Sequence, residues 1–163
     1  MLTDIGEFIV GAYLQLIVKC DFIDYNVRTP GGGQKGLNEL DVIGFNFDTE
    51  TAYLCEVTTH IGGLLYVNNQ ETISRIKKKH QHQKAYAKQH LTKFAHHEFM
   101  FWSPVVPVGY LTNHLEKMKT LDVIINGEYK KRVEELKTLA KNTTYDARNP
   151  FFRMLQIMEH MRD

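Results

Sequence analysis

The chain has 163 residues, 43% of them apolar and 24% charged, with a formal net charge of +1. These values fit one soluble domain, residues 1–163, large enough for its own core, and exclude a disordered or fibrous chain. Its two cysteines form no metal-binding or redox spacing, no apolar run reaches membrane-span length, and the acidic N-terminus lacks a signal peptide's basic start.

Asp4, followed three residues later by Glu7, reads as a capping box opening a helix to about Lys19. Phe8, Ile9, Ala12, Tyr13, Leu16 and Ile17 form its apolar stripe. Asp21–Arg28 reads as a strand, and the glycine-rich stretch Pro30–Gly36 as a loop. That loop is no phosphate cradle, because no Gly-Lys-Ser/Thr and no helix follow it.

Two strands come next, Glu39–Phe45 and Tyr53–His60, joined by a tight turn at Asp48-Thr49-Glu50-Thr51. If Asp48 pairs with Thr51, Ile43 faces Glu56, Asp41 faces Thr58 and Glu39 faces His60. Asp41 and Glu56 then share one sheet face as diagonal neighbours, about 7 Å apart, close enough to be bridged by one ion. Carboxylates at the end of an apolar face are costly without a partner, and a divalent cation is the simplest one. Two edge carboxylates on a half-solvated sheet satisfy the same pattern, and a slip of one residue separates the acids onto opposite faces.

A long helix is expected from Asn69 or Gln70 to Ala95. Its stripe Ile73, Ile76, His80, Gln83, Ala87, Leu91, Phe94 is apolar at the ends and polar in the middle. His97–Ser103 reads as a buried strand, Val105–Leu111 as a further strand, Asn113–Lys119 as a short helix capped by Thr112, and Leu121–Ile125 as a last strand. One helix from Asn126 to about Lys141 and another after Asn149-Pro150 close the chain, with Phe152, Leu155, Met158 and Met161 along one side of the last. This order points to an α/β domain, a central mixed sheet flanked by helices.

Charge is divided unevenly. Residues 1–60 carry nine acids and three bases, residues 61–163 ten acids and seventeen bases, and seven bases with no acid fall between Arg75 and Lys93. An acidic cluster beside a basic helix suits a site holding a metal and a polyanion; a solvated helix face gives the same pattern.

An acid on the first helix, Glu7, an Asp in a strand after a loop, Asp41, and the acid of the next strand, Glu56, resemble the PD-(D/E)XK nuclease superfamily. These are the restriction-endonuclease-like enzymes, including Holliday-junction resolvases and Mrr-type endonucleases. The resemblance spans roughly residues 4–95. It implies a restriction-endonuclease-like fold and Mg²⁺-dependent hydrolysis of DNA phosphodiester bonds, in restriction, defence or repair. Glu7, Asp41 and Glu56 would hold Mg²⁺, or Mn²⁺ in its place.

The family lysine belongs two residues after Glu56, where this chain has Thr58. A lysine can reach in from elsewhere, as in some relatives, and Lys77 and Lys84, flanking the polar interruption of the long helix, are the expected candidates. His60 lies on the Asp41 face in the expected register, where it could take a proton from water or touch the metal, or serve structure alone. Lys35, Arg75, Lys77, Lys78, Lys79, Lys84 and Lys88 are the expected nucleic-acid contacts. DNA is the expected partner, with RNA open, no membrane, and a homodimer formed through the last helix as a further option. The buried-looking cysteines suit a reducing cytoplasm. Thr58 keeps two other classes open, a degenerate nuclease-fold module that binds nucleic acid and a protein-interaction domain.

Overall fold

The computed structural model describes residues 2–29 and 39–163. The whole glycine-rich loop Pro30–Gly36, Lys35 included, lies outside them. The elements run α1 (Ile5–Leu16), β1 (Phe22–Arg28), β2 (Glu39–Asn46), β3 (Thr51–Val57), α2 (Asn69–His90), β4 (His96–Ser103), α3 (Tyr110–Glu116), β5 (Asp122–Ile125), α4 (Asn126–Lys141) and α5 (Pro150–His160). The strands form one sheet in the order β1-β2-β3-β4-β5. The β1–β2 and β2–β3 pairs are antiparallel, and the β3–β4 and β4–β5 pairs are parallel. The fold is therefore α/β, with a mixed sheet between helices, consistent with the restriction-endonuclease-like arrangement.

Alternation along the strands builds the two layers. Val42, Cys55, Met100, Trp102 and Ile124 pack with Val10, Leu14, Leu136 and Phe152 of α1, α4 and α5. On the other face, Ile43, Ala52 and Leu54 meet Ala87 and Leu91 around α2. Phe101 meets Ile73, Ile76, Leu111 and Leu115 of α2 and α3. Cys20 and Cys55 are free and buried in the first cluster, and burial pushes the Cys20 thiol up to about 12.

Several boundaries differ from the expected ones. Helix α1 ends three residues early because Lys19 enters the left-handed region (φ 67°) and Cys20 donates its N–H to the Leu14 carbonyl at 2.8 Å. Helix α2 stops at His90, where Leu91 leaves helical geometry and its carbonyl is taken by His97 Nε2 at 2.8 Å. Residues 105–109 form no strand. Gly109 (φ 124°), preceded by Pro104 and Pro107, turns the chain into α3, so the helix begins at Tyr110 and Thr112 lies inside it. Helix α5 buries Phe152 and partly Leu155, whereas Met154, Ile157, Met158 and Met161 are exposed.

The β2–β3 hairpin is also built differently. Asn46 pairs with Thr51 and Phe45 with Ala52, which leaves a four-residue turn. Asn46 Oδ1 accepts the Thr49 N–H at 3.0 Å, and Glu50 takes the left-handed position (φ 49°). The register therefore moves by two residues. An even shift keeps every side chain on its expected face, so Asp41 and Glu56 stay on one face, each next to the last pair, Val42 with Cys55.

Candidate active site

The acids lie where the sheet divides. Strands β2 and β3 pair as far as Val42 and Cys55. Beyond that point β2 stays with β1, with Leu40 opposite Val27, and β3 stays with β4, with Glu56 opposite Phe101 and Val57 opposite Trp102. Asp41 stands in the fork. Its Oδ2 accepts the Val57 N–H at 2.8 Å, so a carboxylate occupies the place of a ladder carbonyl. A backbone N–H freed by the split strands is thus satisfied by an acid, as buried backbone groups require.

Glu56 is 5% exposed and shares its sheet face with Leu54, toward α2. Its Oε2 accepts from the Lys79 ammonium at 2.8 Å. Its Oε1 is buried without a hydrogen-bond partner. Burial, then the charge of the Asp41 carboxylate, raise the Glu56 pKa well above its ordinary value, against the pull of Lys79. Burial works against the Lys79 charge, but Glu56 and Asp41 outweigh it, and the Lys79 pKa is raised. One ammonium serving two carboxyls leaves the cluster one positive charge short, a need met by a proton or a cation.

Helical spacing explains why Lys79 is the lysine that arrives. Thr72, Ile76 and Gln83, all buried, precede it by seven and three residues and follow it by four, the spacings that share a helix face. Gln83 pins that face to the sheet, donating to the Leu54 carbonyl at 3.0 Å and the Met100 carbonyl at 3.1 Å. With Gln83 Oε1 an acceptor at 3.1 Å, His80 donates from Nδ1 and accepts at Nε2 from Thr120 Oγ1 at 2.8 Å. Burial lowers the His80 pKa, which favours this neutral ring. The polar interruption of the α2 stripe is therefore a helix-to-sheet anchor.

Lys77 and Lys84 are exposed on α2, and the ion pair is made by Lys79 instead. Thr58 lies just past β3, where its hydroxyl donates to Ser103 Oγ at 2.7 Å. His60 is also beyond the strand. Its ring meets Tyr66 edge-on at 5.1 Å, and its buried Nδ1 has no partner. Arg75 stacks its guanidinium over the same tyrosine, 4.4 Å from the ring centre. Tyr66, Arg75, Thr58, Glu56 and Lys79 line one cleft. Lys78 and Lys88 are exposed on α2.

Glu7 makes its hydrogen bonds with α1 and β1. Its Oε2 completes the α1 cap by accepting the Asp4 N–H at 2.9 Å and also accepts from the Asn26 amide at 3.2 Å. Asn26 reaches it from the left-handed region (φ 54°). Burial raises the Glu7 pKa, those two hydrogen bonds oppose the rise, and the Asp41 charge adds to it. Among the described residues, no three His, Cys, Asp or Glu side chains are grouped to hold a metal. The two-acid cluster still fits a hard cation. Asp41 and Glu56 offer carboxylate oxygens, one of them orphaned, and Mg²⁺ is commonly held by one or two carboxylates while keeping several waters.

No family model, curated protein or solved structure matches the chain.

Proposed function

We propose that the protein is a divalent-metal-dependent endonuclease of PD-(D/E)XK type that hydrolyses DNA phosphodiester bonds, in restriction, defence or repair. The observation that carries this reading is the Lys79 ammonium on Glu56 beside Asp41. The cation missing at Thr58 is supplied from α2.

Asp41 and Glu56 would hold Mg²⁺, or Mn²⁺ in its place, with Glu7 adding negative potential from α1. When bound, the ion supplies polarisation of the phosphoryl group and a lowered pKa for a bound water. Lys79 has three N–H donors, and its bond to Glu56 uses one. The others can meet a phosphate oxygen, where a fixed ammonium in a partly dry cleft stabilises the charge that grows as the bond breaks. Arg75, on the same cleft, adds a second positive group. Lys77, Lys78, Lys84 and Lys88 continue the basic surface for the nucleic-acid backbone. The two buried free thiols suit a cytoplasmic protein, and the exposed methionines of α5 offer a surface for a homodimer.

Cleavage of plasmid and linear DNA with Mg²⁺ tests the reading. Substitution of Asp41, Glu56 or Lys79 by alanine should remove cleavage and leave DNA binding in chelator nearly unchanged. Wild-type-like cleavage by all three variants refutes it.

A second reading is a catalytically silent domain that binds nucleic acid. The Glu56–Lys79 pair favours it, because Lys79 already compensates one acid and, among the described residues, no third acid joins the cluster. Calorimetric Mg²⁺ titration separates the two. Metal binding abolished by Asp41→Ala supports the endonuclease, and no metal binding supports the silent domain.

A further inference from the structure

Helix α2 faces a second groove on its other side. Lys77, Lys78, Gln81 and Ser74 line it from α2, and Tyr110 and His114 from α3. Among the described residues its lining contains no acid. The ion pairs of the described residues are Lys79–Glu56 and Arg153–Asp146, so neither groove lysine is neutralised by one. Tyr110 is 41% exposed. Its ring and that of His114 stack with centres 4.0 Å apart and planes 25° from parallel. With the Tyr110 carbonyl as acceptor at 2.7 Å, His114 donates from Nδ1, which fixes the ring, leaving Nε2 as an acceptor. The groove thus combines a fixed aromatic platform with free positive charge.

We propose that this groove binds a single-stranded stretch of nucleic acid, with one base stacked on the Tyr110–His114 pair and adjacent phosphates on Lys77 and Lys78. The name of the ligand rests on the endonuclease reading, because Lys78 directly precedes Lys79 and one helix about 10 Å across separates the groove from the cleft. Lysines alone would read any phosphate backbone, duplex included. The aromatic platform adds the selectivity. A base within a duplex has both faces covered by its neighbours, whereas an unpaired base offers a face to stack. The substrate class is therefore DNA with an unpaired segment beside the cleaved bond, such as a flap, a fork or a frayed end.

Fluorescence anisotropy in chelator tests this without cleavage, using labelled oligothymidylate and a labelled two-strand blunt duplex. Tyr110→Ala and His114→Ala should weaken the single strand roughly ten-fold and leave the duplex unchanged. Tyr110→Trp should restore single-strand binding, which separates stacking from a folding defect. Lys77→Gln with Lys78→Gln should weaken both ligands and make their salt dependence shallower. Unchanged single-strand affinity in the alanine variants, equal losses for both ligands, or no single-strand binding by the native protein overturns the proposal. A native protein that passes this test but shows no Mg²⁺-dependent cleavage refutes the endonuclease reading alone.

Discussion

Lys79 and Glu56 meet across the interface between α2 and β3, ammonium to carboxylate oxygen at 2.8 Å, with the Glu56 side chain 6% exposed and that of Lys79 21% exposed. The contact bears on how the site titrates and on what holds α2 to the sheet.

The Glu56 pKa is raised above the ordinary carboxylate value of 4.5, so across the window above 4.5 the folded protein binds more protons than the unfolded chain. Stability therefore falls as pH rises through that window. In chelator, the melting temperature should decline from about pH 5 upward, and Glu56→Gln should flatten the decline. An identical slope in the variant would show that Glu56 does not set it. Added Mg²⁺ should stabilise most at the high end, where the carboxyls are free to bind metal.

Removal of Lys79 strands a buried acid. Lys79→Met should cost about 3 kcal/mol in urea unfolding at pH 8. It should cost much less at pH 5, where Glu56 can protonate. Combining Lys79→Met with Glu56→Gln should recover much of the loss, and strict additivity would argue against the pair.

Gln83 holds α2 in place. Gln83→Leu leaves the Leu54 and Met100 carbonyls and His80 without this partner and should cost about 2–3 kcal/mol by urea unfolding. The substitution should also reduce cleavage, since Lys79 lies one turn away. A variant with native stability would remove the anchor role.

The packing of α1 on β1 leaves no room for a methyl at Gly11, where an added Cβ would collide with the Tyr25 ring and hydroxyl. Gly11→Ala should destabilise by about 1–3 kcal/mol despite its better helix propensity. A rise in melting temperature would contradict this packing.

The pairing of Asp41 with Glu56 was legible because strand side chains alternate. The turn is two residues longer than the Asp48–Thr51 reading, yet an even shift leaves faces unchanged. The choice of lysine was less legible. Lys77 and Lys84 flank the His80–Gln83 interruption in sequence, but Lys79 shares a helix face with Thr72, Ile76 and Gln83. Reading Thr72 as part of the buried stripe would have moved the choice. Glu7 was legible as a cap but not its diversion to Asn26, which depends on a left-handed residue in β1 that no local motif announces. The stripe of α5 was half right, since nothing in its spacing told that Met158 and Met161 are exposed while Phe152 is buried.

The most direct test of Lys79 is Mg²⁺-dependent DNA cleavage by the native protein, by Lys79→Ala, and by Lys79→Ala combined with Thr58→Lys. Lys79→Ala should lose roughly a hundred-fold or more in rate, and the lysine at position 58 should restore part of it. Native rates in Lys79→Ala would contradict the assignment of this lysine to the reaction.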